Sequence, residues 1–190
     1  MINPAFINFP DEAALIGAMV VGYGELELSY GALAGDIIGD KWSVLKAFHY
    51  IRSEMTRIDV ANALCETKVV AMGFADEYAQ VLTALKYCRE VRNRYTHQQW
   101  GDMDGMLCIT KAEAAFQKRE RPTWYTLDLA LIEAQEAFFE YTRLCILTLH
   151  TCVDYHRSGK ARPVQRRAKQ IPPPLHKGAL TLTPPPDQTK

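Results

Sequence analysis

The chain has 190 residues, enough for one domain with a sizeable core, and its apolar (48%) and charged (23%) fractions are those of an ordinary soluble protein. The formal net charge of zero hides an asymmetry. From Arg157 onward eight Lys/Arg face one acid, Asp187, so this end carries +7 and residues 1–156 carry −7. Five cysteines with no CxxC pair exclude a disulfide framework or a thiolate metal site, and place the protein in a reducing compartment, the cytoplasm.

Residues 1–9 read as a short arm with Phe6 and Phe9 as anchors. No positive charge precedes the first apolar run, and Asp11 and Glu12 do, which argues against a signal peptide. Pro10-Asp11-Glu12 is a helix start, with acids where the dipole favours them. Ile16, Met19, Tyr23, Leu26, Tyr30, Leu33 and Ile37 then recur in steps of three and four, one apolar stripe of a long helix. Gly17, Gly22, Gly24, Gly31 and Gly35 each cost an exposed helix about 1 kcal/mol relative to Ala. So many glycines imply close packing by a neighbouring backbone. No GxGxxG or GKS/T pattern accompanies them, which sets a phosphate loop aside.

Gly39-Asp40 breaks the pattern. Trp42, Leu45, Phe48, Ile51 or Arg52, Met55 and Ile58 give a second helix, continuing or resuming after a bend to Ala71. Glu54 and Arg57, three apart, read as a surface ion pair. Gly73 ends this helix, and Asp76-Glu77 opens a third whose stripe is Val81, Leu85, Cys88, Val91 or Arg92, and Tyr95. Asp104-Gly105 is turn chemistry, and Met106–Thr110 reads as a short strand. Weak helical character follows as far as Arg121. Pro122 and Trp124-Tyr125 are expected in a fixed loop. A last long helix from Thr126 or Leu127 to about Tyr155 has the stripe Leu131, Ala134, Phe138, Tyr141, Cys145, Thr148 or Leu149, and Cys152. Its charges (Asp128, Glu133, Glu136, Glu140, Arg143) make it a core helix and not a membrane span. Seven of the ten prolines lie after Arg157, so a disordered segment of polyproline II character is expected there, whose removal leaves stability nearly unchanged. The expected fold is all-α: a helical bundle of four to five helices over residues 1–156, a short irregular or β-like insertion, and a disordered basic tail, 157–190.

The polar chemistry is concentrated between Arg89 and His97, where nine residues hold three arginines, one asparagine and one histidine. An imidazole exchanges a proton near neutral pH, a guanidinium grips a phosphate with two parallel donors, and an asparagine orients either. Together they suit metal-free phosphodiester cleavage. His97, His150 and His156 are scattered without zinc-like spacing, so neither metal nor cofactor is expected. On a straight helix Arg92 and His97 lie about 140° apart and about 7.5 Å along the axis. Either the helix ends near Thr96 and His97 swings over, or another chain completes the site. Lys86, Arg89, Arg92 and Arg94 add positive charge for phosphate or RNA contact. Tyr95, Trp100 and Trp124 are stacking candidates that also read as packing residues. A structural reading pairs Arg92 with Glu25 or Glu27 and leaves His97 as a helix-end histidine.

Arg92-Asn93-Arg94-Tyr95-Thr96-His97 resembles the Arg-Asn-x-x-x-His motif of HEPN domains (higher eukaryotes and prokaryotes nucleotide-binding). The resemblance covers the motif and the run of helices in residues 10–156. It implies a helical bundle that dimerises and assembles a metal-independent ribonuclease site across the two-fold, as in toxin–antitoxin, anti-phage and RNA-processing systems. The catalytic residues would be Arg92 and His97, with Asn93 beside them, and Lys86, Arg89 and Arg94 would contact RNA. The partners implied are a second copy, RNA or a nucleotide, and an antitoxin or regulator protein, with no membrane. The alternative is a non-catalytic nucleotide- or protein-binding helical module.

Overall fold

The computed structural model describes residues 3–160 and 167–180. A single turn, α1 (Ala5–Asn8), precedes α2 (Pro10–Ile38), which starts at the proline and its two acids. All seven residues of the expected α2 stripe, Ile16 through Ile37, are buried. Only part of the expected glycine packing is found. A Cβ on Gly35 would lie 2.5 Å from the Lys41 Cα, and one on Gly31 would lie 3.0 Å from the Phe48 ring. At Gly17, Gly22 and Gly24 a Cβ meets nothing within 4 Å among the described residues.

Gly39, at φ 96°, ends α2. Two side-chain caps then define two separate helices. Asp40 accepts from the Ser43 amide (3.1 Å) to start α3 (Lys41–Tyr50), and Ser53 accepts from the Thr56 amide (3.2 Å) to start α4 (Glu54–Ala71). Here the apolar period misplaces one residue: Trp42 is 80% exposed, and Val44 fills the core position instead. Gly73, at φ 76°, turns the chain into α5 (Ala75–His97). The strands β1 (Gln99–Met103) and β2 (Met106–Thr110) form a hairpin through Asp104 and Gly105, with φ of 53° and 75°. After the short α6 (Ala112–Gln117), the expected loop at Trp124-Tyr125 is instead β3 (Trp124–Leu127), which pairs antiparallel with β2. The chain ends with α7 (Leu129–Arg157) and β4 (Gly178–Leu180), giving an antiparallel sheet in the order β1-β2-β3-β4. The fold is mostly helical, and among the described residues no helix is long and apolar enough to cross a membrane.

Two compact units can be distinguished, and the points of division fall inside α2, α5 and α7 and in the segment between α7 and β4. The first comprises the described residues within 1–20, 91–136 and 173–190. Its sheet buries Leu107, Cys108, Ile109 and Leu127, and Trp100 is held between the rings of Phe6 (4.9 Å) and Tyr95 (5.3 Å). The three stacking candidates are therefore packing residues here: Tyr95 is buried, and Trp124 lies over Gly101, where a Cβ would come within 2.9 Å of its ring. The second unit, residues 21–90 and 137–172, is helical. At its centre the Tyr30 and Tyr78 hydroxyls share a hydrogen bond of 3.0 Å, and burial pushes both phenols above their usual range. Arg57 reaches Glu27 of α2 at 3.1 Å. All five cysteines are buried, and burial pushes the thiols of Cys65 and Cys88 up to about 11 and about 12.

The expectation of a disordered tail does not describe residues 167–180. In the second unit Gln170 N donates to Tyr141 Oη (3.1 Å) and Arg167 Nε to Thr148 Oγ1 (3.0 Å). In the first unit Pro174 O accepts from Gln135 Nε2 (2.8 Å), Lys177 pairs with Asp128, and β4 pairs with β3. The physical reason is that prolines need no amide partner. An extended Pro-rich strand can therefore lie along a surface and be held by its few carbonyls, its amides at 170 and 177, the pairing of β4 with β3, and interspersed charged side chains. Residues 161–166 and 181–190, on which the rest of that expectation falls, lie outside the described residues.

Candidate functional site

The site region is the C-terminal end of α5, in the first unit. Asp76 and Glu77 in the first turn and Arg94 and His97 in the last complement the helix dipole, which favours an unbroken helix. Its final carbonyls are answered locally. Thr96 Oγ1 donates to Arg92 O (3.0 Å), Gln98 N to Arg94 O (3.0 Å), and the Trp100 indole to Tyr95 O (3.2 Å). The helix thus continues through His97, and the imidazole does not swing over Arg92.

This resolves which side chains share a face. Val91, 1% exposed, takes the buried position that Arg92 was a candidate for, and Arg92 is half-buried beside it. The Arg92 Nη1 donates to Asn93 Oδ1 at 2.8 Å. His97 is exposed, about 40° around the helix from Asn93 and about 60° from Arg94, but about 140° from Arg92. Asn93, Arg94 and His97 therefore form one polar face, and the asparagine draws the Arg92 guanidinium towards it. Lys86 and Arg89 lie on the part of α5 that belongs to the second unit. Lys86 is exposed and 3.7 Å from Asp59, while Arg89 is half-buried with an Nε that has no hydrogen-bond partner among the described residues.

Sequence reasoning missed a histidine in the C-terminal segment of the same unit. The segment after Pro174 is anchored through Gln135, which donates to the Pro174 carbonyl and accepts from the buried Tyr95 hydroxyl. Gln135 is fully buried where the apolar period placed Ala134, because both ends of its amide are satisfied there. Two residues beyond Pro174, the His176 ring lies on Tyr125 at a centroid distance of 4.2 Å. Its Nδ1 is buried without a hydrogen-bond partner among the described residues. Burial, and then the positive charge of Arg94, hold its pKa below the usual 6.5. The sequence signal for this was slight: Leu175 and Gly178-Ala179-Leu180 form a short apolar run inside a Pro-rich stretch.

A second cluster lies in the other unit, where ligand atoms of Asp36, His150 and Asp154 fall within 4.8 Å of one another. Asp36 is already answered by His150 (2.5 Å), Lys41 (3.5 Å) and Arg157 (3.6 Å). Two cations and an imidazole on one carboxylate make this an ion-pair hub that joins α2, α3 and α7.

No protein family, no curated protein and no solved structure matches the chain.

Proposed function

We propose that this chain is a metal-independent endoribonuclease of HEPN type that acts as a homodimer in the cytoplasm. The observation that supports this reading best is the end of α5, where an exposed imidazole, His97, follows an arginine whose guanidinium is oriented by Asn93 at 2.8 Å. Because α5 is helical through His97, one chain directs Arg92 and His97 to different sides, and a two-fold contact between copies would bring the Arg92 of one to the His97 of the other.

The chemistry is transesterification. A base removes the proton of a ribose 2′-hydroxyl, the 2′-oxygen forms a bond to the adjacent phosphorus, and the bond from phosphorus to the 5′-oxygen breaks. The departing 5′-oxygen takes a proton from an acid, leaving a 2′,3′-cyclic phosphate and a 5′-hydroxyl. His97 transfers protons, Arg92 stabilises charge on the phosphate, Asn93 holds Arg92, and Arg94 with Lys86 and Arg89 contacts the strand. The action on RNA places the protein in a toxin–antitoxin or defence setting, with an antitoxin or regulator as a further protein partner.

The test is cleavage of a labelled single-stranded RNA in EDTA, with light scattering on the same preparation. The wild type is expected to cleave as a dimer. His97→Ala and Arg92→Ala are each expected to lose at least about 100-fold in rate. Equal cleavage by wild type and variants, or a strictly monomeric protein, removes the reading. Nucleotide binding without cleavage favours the non-catalytic module.

A further inference from the structure

We propose that α3 is a binding platform for single-stranded nucleic acid, with Trp42 and Tyr50 each stacking on a base and Lys46 answering a backbone phosphate between them. The face lies in the second unit, and it does not depend on the cleavage reading: α3 holds a strand whether or not the end of α5 cuts one.

The inner side of α3 fixes the helix. Val44 and Phe48 are buried, the Phe48 ring covers Gly31 of α2, and it lies 6.4 Å from the ring of Tyr30. Lys46 is two residues from Val44 and two from Phe48, about 160° around the helix from each, so it projects away from the core. Trp42, Lys46 and Tyr50 form one row at i, i+4 and i+8, each step about 40° around the helix and about 6 Å along it. All three are exposed, Trp42 at 80% and Tyr50 at 72%. Tryptophan is highly buried on average, and here two large rings stand in solvent on a helix that already has a core face. His49, also exposed, sets its ring across that of Tyr50 at 5.6 Å and 78°.

The charge on this row selects the partner. The helices α2, α4, α5 and α7 each carry at least three acids, and the stretch from Lys41 to Ser53 carries none. Asp36 engages Lys41 at 3.5 Å, while Lys46 and Arg52 are exposed and make no ion pair among the described residues. An unpaired lysine between two exposed rings fits a chain in which flat bases alternate with charged phosphates, and rings about 12 Å apart along the axis take bases that are not stacked on each other. A second copy fits poorly, because a two-fold contact centred on the row sets Lys46 against Lys46. A lipid surface also fits poorly. The aliphatic side chains that would insert are turned inward: Val44 is buried, and Leu45 is half-buried against Gly31.

The experiment measures fluorescence anisotropy of a fluorescein-labelled oligodeoxythymidylate, which has no 2′-hydroxyl and so cannot be cut by the reaction above. The wild type is expected to bind it with an affinity that falls as salt rises, and binding is expected to quench tryptophan emission. Trp42→Leu and Tyr50→Leu are each expected to bind about tenfold more weakly, while Trp42→Phe, which keeps a ring, retains most of the affinity. Lys46→Ala is expected to reduce the slope of log affinity against log salt by about 0.7. The replaced side chains are exposed, so circular dichroism is expected to show all four variants melting with the wild type. Wild-type affinity in both leucine variants overturns the inference, and so does equal affinity in Trp42→Phe and Trp42→Leu. A wild type that ignores the oligonucleotide but partitions onto phosphatidylserine vesicles, with partition lost in Trp42→Leu, assigns the face to lipid and overturns it as well. Affinity lost in Arg92→Ala but kept in Trp42→Leu moves binding to the end of α5, which overturns this inference and leaves the ribonuclease reading standing. A wild type that binds through α3 and cleaves no RNA in EDTA overturns the ribonuclease reading alone.

Discussion

At the scale of single residues, His176 ties stability to pH. Its folded-state pKa lies below the usual 6.5, so an unfolded chain binds a proton that the folded chain declines. The sign follows from that difference. The contribution is fully present above 6.5, and it is lost as pH falls through the lower, folded value. Denaturant unfolding between about pH 5 and about pH 8 is expected to show stability declining on the acid side of 6.5. Replacing His176 with Asn is expected to flatten that part of the profile; an identical profile in the variant would assign the decline to other groups. Gln135 illustrates the same scale from the packing side. A polar residue is fully buried because Tyr95 and Pro174 satisfy both ends of its amide.

At the scale of elements, the glycines of α2 separate into two kinds. Gly35 lets the start of α3 approach α2, and an added methyl group would lie 2.5 Å from the Lys41 Cα, a backbone atom that cannot swing aside. Gly35→Ala is expected to cost about 1–3 kcal/mol. Gly24, exposed in the same helix with open space around it, gains helix propensity when replaced, and Gly24→Ala is expected to stabilise by up to about 1 kcal/mol. Chemical denaturation of the two variants checks the contrast, which fails if both shift the same way. Elements whose local chemistry is complete were legible in this way. Gly39-Asp40 marked the break before α3, and Asp104-Gly105 supplies the two positive φ angles of the β1–β2 hairpin, whereas the Ser53 cap that starts α4 as a separate helix was not read from the sequence. The β3 strand was not legible. Trp124–Leu127 has four residues, and its identity as a strand comes from its partners on either side, β2 and β4.

At the scale of the whole chain, residues 167–180 are part of the fold. Deleting everything after Lys160 removes β4, the Gln135–Pro174 hydrogen bond and the ring over Tyr125. A buried amide left without its acceptor alone costs about 1–3 kcal/mol, so the truncated chain is expected to unfold at a visibly lower temperature than the full one. An unchanged midpoint in calorimetry would return this segment to the status of an appendage.

The sequence by itself determined the long helices, because an apolar residue every three or four positions leaves a chain one way to bury its stripe, and Ile16 through Ile37 do so. It likewise determined that Asn93 and His97, four apart, share a face once α5 is helical, since helical period is a property of the backbone. Only the tertiary structure decided that α5 stays helical through His97, that Val91 rather than Arg92 is buried, and that a proline-rich segment returns to lay an imidazole on Tyr125. Those outcomes depend on partners distant in sequence: Trp100 and Tyr95, Gln135 and Pro174, Tyr125 and His176. Periodicity describes a chain's relation to its own axis, and it carries no term for what arrives from elsewhere.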